Sequence, residues 1–323
     1  MIRHILLLAV AVLSPAALVA ADHGSAQDLL TAATRQASLL EDSQQPFLLD
    51  IDFTAKFDVP RQGHLRLRWE ARDRWWSKVT IAPFEQIKFQ NGERTWTLRN
   101  VDFTPTQVDD LFNLIRFTKH DNQLVAKKDK QRVQNGIRMD CVEAEHSESN
   151  MEHHEICVDL STQDIVSDRR KDRADDVVQM QFSDFVDFGG HRFPRRLELA
   201  KNGDIILTAN VMDLKESSLD PQLLVPPQGA IERRECPNEK PPVWAGPAEA
   251  DFRAVGGSRG STRIKVTVLA DGTVGEIHVL KSGGKAMDDA AIAALKKEKY
   301  KPAMCGAEPV TADVVVELNF QRY

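Results

Sequence analysis

From Leu49 onward the chain alternates: Leu49, Ile51, Phe53, Ala55, Phe57 and Val59 are each separated by one residue. That spacing predicts a strand with one buried and one wet face. Leu65, Leu67, Trp69 and Ala71 repeat the pattern, and Trp75, Val79 and Ile81 take it up again after Arg72-Asp73-Arg74. Farther on, Val178, Met180 and Phe182, then Leu197, Leu199, Ile205, Leu207 and Ala209, keep the period of two. Asn91-Gly92, Asn135-Gly136 and Asn202-Gly203 supply turns, because Asn and Gly both accept positive φ. Two stretches change to helical spacing. One is Leu29, Leu30, Ala33, Ala37 and Leu40; the other is Val108, Leu111, Phe112 and Ile115, with Thr104 as its expected cap and Pro105 in its first turn. The segment from 45 to 215 is therefore an antiparallel meander. It must hide its apolar face by closing into a barrel or by curling around the two helices.

A second pattern begins near Ser258. Ile264, Val266 and Val268 mark a strand, Asp271-Gly272 turns it, and Val274 to Leu280 returns. Ser282-Gly283-Gly284 breaks that strand ahead of a helix from Met287 to Lys299. Its apolar face is Met287, Ala290, Ala291, Ala294 and Leu295, and Lys296, Lys297 and Lys299 lie where the macrodipole favours cations. Pro302 stops the helix, and Thr311 to Phe320 forms a last strand with Ala312, Val314, Val316, Leu318 and Phe320 on one side. The fold class is α+β: an N-terminal curved antiparallel sheet, a half-open barrel with helices, over 22–230, and a small C-terminal ββαβ domain over 251–323. Between them, Glu239-Lys240-Pro241-Pro242 reads as an extended linker over 231–250.

Length agrees with this division, since 323 residues exceed the about 250–300 that one hydrophobic core serves. A formal charge of -6, with basic residues interleaved among acids, argues against a nucleic-acid partner. Residues 1–21 carry Arg3 and His4, an apolar run from Ile5 to Ala20, and small residues Val19 and Ala21 at cleavage spacing. We expect an export signal cut near Ala21 and a periplasmic protein. An uncleaved signal would instead leave it anchored in the inner membrane, but Ser14-Pro15 interrupts a run already short for a span.

The 4 cysteines then belong to an oxidising compartment, where disulfides outrank metal sites. Cys141 and Cys157 lie on neighbouring strand-like runs and can staple one hairpin, which leaves Cys236 to reach Cys305; two other connectivities remain open on sequence alone. No cofactor, metal or catalytic set is expected. His146, His153 and His154 with Glu152 and Glu155 form a polar hairpin tip better read as solvated, and Asp288-Asp289 complements a helix dipole.

Two resemblances add to these readings. Asp271-Gly272, Val279-Leu280-Lys281-Ser282-Gly283-Gly284, Met287-Asp288-Asp289-Ala290-Ala291, Tyr300-Lys301-Pro302-Ala303 and Val314 to Phe320 occur in the order found in the C-terminal domain of the TonB energy transducers. The last domain resembles that family over nearly its whole length. The strand from Phe47 to Val59, the run Trp69, Trp75, Trp76, the strand Gly92 to Trp96 and the segment Phe188 to Pro194 resemble the lipoprotein carriers LolA and LolB.

The TonB resemblance implies that Ala312, Val314, Val316, Leu318 and Phe320 form an edge strand on which a segment of an outer-membrane receptor or other envelope protein pairs, in the service of TonB-dependent transport. The same edge can serve a homodimer. The family's proline-rich spacer is missing, the 15 prolines being scattered, and Ala250-Asp251-Phe252-Arg253 stands where a Tyr-Pro commonly leads in. The carrier resemblance implies a second function, holding lipid or lipoprotein acyl chains in the concavity, with Phe53, Phe57, Leu67, Trp69 and Trp96 as lining residues. Alternating aromatics are more often plain core. Binding protein, not enzyme, is the expectation.

Overall fold

The computed structural model describes residues 25–101, 104–118, 124–134, 136–146, 149–171, 176–234, 236, 239–244 and 260–320; the expected export segment lies outside them. The alternating segments become long strands: β1 (Phe47–Lys56), β2 (Pro60–Ala71), β3 (Arg74–Ile81), β4 (Phe84–Asn91), β5 (Arg94–Arg99), β6 (Leu124–Gln134), β7 (Ile137–His146), β8 (Ser149–Asp159), β9 (Ile165–Lys171), β10 (Val177–Phe188), β11 (His191–Lys201) and β12 (Asp204–Glu216). With β13 (Ile231–Arg234) they form one 13-stranded antiparallel sheet in the order β13-β5-β4-β3-β2-β1-β12-β11-β10-β9-β8-β7-β6. The sheet stays open, because its end strands β13 and β6 do not pair with each other.

Two helices lie in its concavity, α1 (Ala26–Ala37), continued by the single turn α2 (Leu39–Asp42), and α3 (Thr106–Ile115). Helix α1 opens on a capping box in which Ser25 and Asp28 satisfy each other's backbone N–H groups. It packs over β6, β8, β9 and β11, whereas α3 packs over β11 and β12. Leu29, Leu30 and Ala33 from α1 and Val108, Leu111, Leu114 and Ile115 from α3 meet Phe47, Leu49, Ile51, Phe53, Leu65, Leu67, Trp69 and Val79 from the strands in one continuous core. Phe53 lies across from Gly63 on β2, and its ring occupies the place where any Cβ at position 63 would stand.

Two details of α3 depart from the sequence reading. Thr104 does not cap it; Pro105 takes the N-cap position without a side-chain bond, and the Thr104 hydroxyl contacts Arg99 and Gln86 instead. Leu114 takes a core place, while Phe112 is only half-buried at a cleft described below.

The C-terminal part follows as β14 (Val243–Trp244), β15 (Gly260–Val268), β16 (Val274–Lys281), α4 (Lys285–Leu295), β17 (Tyr300–Lys301), β18 (Ala303–Cys305), β19 (Glu308–Val310) and β20 (Ala312–Phe320). Strands β16-β15-β20 form a three-stranded sheet, and α4 covers one face through Met287, Ala291 and Leu295 against Ile264, Val266, Leu318 and Phe320. Gly272 is obligatory in the β15–β16 turn: φ is +81°, and a Cβ there would stand 2.2 Å from the Tyr300 carbonyl oxygen. Within the stretch read as a linker, Ile231–Arg234 extends the large sheet, and Val243–Trp244 pairs with Tyr300–Lys301.

Both disulfides form as expected. Cys141 and Cys157 are direct partners in the β7–β8 ladder, 3.9 Å apart at Cα, and Cys236 joins Cys305.

If α3 plugs the concavity, Leu111→Ala should lower stability by about 2–5 kcal/mol in urea unfolding, whereas Val133→Ala, on an exposed strand end, should change it by about 0.5 kcal/mol or less.

Candidate functional site

The small sheet has two faces: α4 covers one, and the large sheet meets one end of the other. On the face away from α4, alternate residues of its strands are polar or charged: Lys265 and Thr267 on β15, Glu276 and His278 on β16, Asp313 on β20. These meet the β13–β5 end of the large sheet. Arg99 of β5 pairs with Glu276, and both side chains are nearly buried. Arg233 of β13 grips Asp313 with two hydrogen bonds of 2.7 Å and donates a third of 2.7 Å to the Thr267 hydroxyl. Arg234 reaches Glu308 at 2.8 Å, and the Cys236–Cys305 bond closes the same seam covalently. Burial alone would push the Asp313 carboxyl up, but the Arg233 guanidinium holds it below the usual carboxylate value. His278 is buried against the Thr104 backbone, and desolvation pushes its imidazole below the ordinary range.

With one face under α4 and one end of the other under the seam, the edges of the small sheet come next. Strand β20 pairs with β15 in an unbroken register from Ala312↔Val268 to Phe320↔Gly260, and among the described residues no strand pairs with its outer side. The opposite edge, β16, is less regular, with shifts at Arg263/Ile264 and Val266/Val268 in its pairing. Of the side chains singled out on β20, Leu318 and Phe320 are buried in the α4 core and Val314 and Val316 pack against it, while Ala312 joins a small cluster with Ala303 and Val310. A visiting strand would therefore meet main chain at this edge, flanked by the opposite set, of which Val315, Glu317 and Asn319 are exposed.

Of the apolar lining residues expected from sequence, Phe53, Leu67 and Trp69 share one core, Phe57 packs at its margin and Trp96 stands apart. Phe53, Leu67 and Trp69 are 2–4% exposed and sit in the closed core. Phe53 also forms part of the floor of a mainly polar groove with His64, Thr80 and Asn210. Phe57 lines a separate cleft of about 770 Å³ between the large sheet and the small domain, facing Val101, Ile277, Val279 and Ile292. Trp96 is on the opposite, convex face, stacked on Phe89 beneath Leu219 and Leu224. Among the described residues no group of three or more His, Cys, Asp or Glu can hold a metal. His153 pairs with Glu145, His154 turns inward to Asp168, and the side chains of His146 and Glu152 lie outside the described residues.

A feature that the alternation did not disclose lies beside the seam. The concave face of β4 and β5 is polar at its end, and α3, β13 and the small sheet wall it into a cleft of about 610 Å³. Lys88, Arg99, Arg116, Arg233 and Lys265 line it. Burial first, and then the like charges of Arg233, Lys265 and Arg116, push the Lys88 ammonium down from 10.5 to about 8.

Residues 254–321 match the family described as Gram-negative bacterial TonB protein C-terminal. No curated protein matches the chain. Among solved structures it is similar, at 11% identity and a TM-score of 0.45, to a LolA superfamily protein from Nitrosomonas europaea, over 61% of this chain and 97% of that one. It is also similar, at 10% identity and a TM-score of 0.44, to a DUF1329 family protein from Desulfovibrio piger, over 62% of this chain and 96% of that one. The two resemblances read from residue patterns thus recur in these comparisons.

Between pH 8 and 10.5 the unfolded chain holds a proton on Lys88 that the folded chain has released, so this group makes stability rise with pH across that window. Lys88→Met should therefore stabilise the protein at pH 7 by about 1–2 kcal/mol, less than the full value of the shift because solvent reaches the cleft, and the difference from wild type should shrink as pH approaches 10.5. Thermal unfolding at stepped pH checks both.

Proposed function

We propose that this is an exported binding protein of the Gram-negative envelope that accepts an extended segment of another envelope protein as a fourth strand beside β20, in the service of TonB-dependent transport. The observation that carries the reading is the outer side of β20, unpaired among the described residues, long and regular in register, in a segment that matches the TonB C-terminal family. An open edge offers a row of backbone donors and acceptors, and an incoming strand satisfies them while its alternate side chains supply selectivity. The seam supports this role: Arg233 and the Cys236–Cys305 bond hold the sheet from behind, so a strand can add without the sheet yielding. For the acyl-chain reading, Phe53, Leu67 and Trp69 pack in the core, Phe57 lines a cleft and Trp96 lies in a separate cluster.

Labelled peptides from the periplasm-facing ends of outer-membrane receptors provide the test. Binding should be saturable, and N-methylation of one alternating set of peptide amides should weaken it at least about tenfold while methylation of the other set has little effect, as a one-sided ladder requires. Equal sensitivity of both sets, or no binding, would contradict the reading. Loss of peptide binding as protein concentration rises would assign the edge to a second copy of this chain.

A further inference from the structure

The cleft beside the seam has more positive charge than its own residues neutralise. Its four guanidiniums are matched: Arg99 by Glu276, Arg116 by Glu41 at 2.7 Å, Arg233 by Asp313 at 2.7 Å and Arg234 by Glu308 at 2.8 Å. Lys88 from β4 and Lys265 from β15 are different. Both are half-buried, both line the cleft, and among the described residues neither makes an ion pair or a hydrogen bond. The acid left to offset them is Asp109, exposed on α3. Around them stand neutral donors, Thr95 and Thr97, on the same face of β5. Two ammonium groups drawn together out of bulk water are unfavourable unless an anion joins them, because desolvation and mutual repulsion act in the same direction.

We propose that this cleft is a binding site for a phosphoryl group, held between Lys88 of the large sheet and Lys265 of the small domain. A phosphate monoester carries about -1.5 to -2 charges at neutral pH and three strong acceptor oxygens, enough to offset two ammonium groups and accept from a threonine hydroxyl as well. A carboxylate carries one charge and two oxygens and would leave one lysine unmatched. The guanidiniums remain in their carboxylate pairs, so binding does not require the seam to open. Because its two lysines come from different parts of the fold, an occupied site would also clamp those parts together.

Calorimetric titration of the full chain with inorganic phosphate and pyrophosphate, at constant ionic strength in a chloride buffer, tests the site. Vesicles of phosphatidic acid, with phosphatidylcholine vesicles as control, test whether the group arrives on a lipid. Saturable binding of either phosphate, weakened at least about tenfold by Lys88→Gln and by Lys265→Gln and unchanged by Lys215→Gln, supports a soluble phosphorylated ligand. The same lysine dependence with phosphatidic acid vesicles alone supports a lipid headgroup. Citrate binding as tightly as pyrophosphate, binding that survives both substitutions, or no binding to any probe overturns the assignment. Removing an unmatched cation does not threaten folding, and the two variants lie on separate strands, so a fault in one leaves the other informative.

Discussion

Arg233 connects the two halves of this molecule at the place that matters most. It stands on the last strand of the large sheet, and its guanidinium holds Asp313, the second residue of β20, along with Thr267 on the neighbouring strand. A three-stranded sheet with one helix has one bare face and two bare edges. The ion pairs at Arg99 and Arg233 cover one end of the face, and the Cys236–Cys305 bond ties the seam beside it. Among the described residues the outer sides of β20 and β16 stay unpaired, and β20 is the longer and more regular of the two. Without the seam the charged face would be wet and the edge would belong to a loosely tethered module; with it, the edge is presented from a fixed base.

The large sheet supplies that base and stays open at β13 and β6. Its thirteen strands curl around α1 and α3, whose apolar stripes fill the concavity from the β6–β11 side and across β12. The filling is uneven. Toward β4 and β5 the inner face turns from Phe84 to Gln86, Lys88, Thr97 and Arg99, and the small domain closes over it. The polar cleft and the seam are therefore one construction, with charges that meet an acid holding the halves together and charges that meet none facing the space between.

Much of this was legible in the residues. The period of two located β1, β2, β3, β11 and β12, turn glycines located several hairpins, and the strand-like runs around Cys141 and Cys157 favoured the connectivity that forms, with two others left open. The failures share a cause. Alternation separates two faces but does not say which is concave. On β4 and β5 the aromatic set, Phe89 and Trp96, lies on the convex side beneath Leu219 and Leu224, while the set that reads as wet lines the interior. Trp96 was thus assigned to the wrong face, and Lys88 and Arg99 carried no signal. Ile231–Arg234 has no alternation, since a four-residue edge strand held by pairing needs none. Thr104 looked like a cap because local chemistry allows it; Arg99 and Gln86, distant in pattern though not in space, took its hydroxyl.

Residue-resolved amide exchange on the free full-length protein asks most directly whether the edge is open. The account predicts alternation along β20, with the amides bonded to β15 protected and those between them exchanging near the rate of an unpaired strand. Uniform protection from Ala312 to Phe320 in dilute solution would mean that the edge is already covered, and would contradict it.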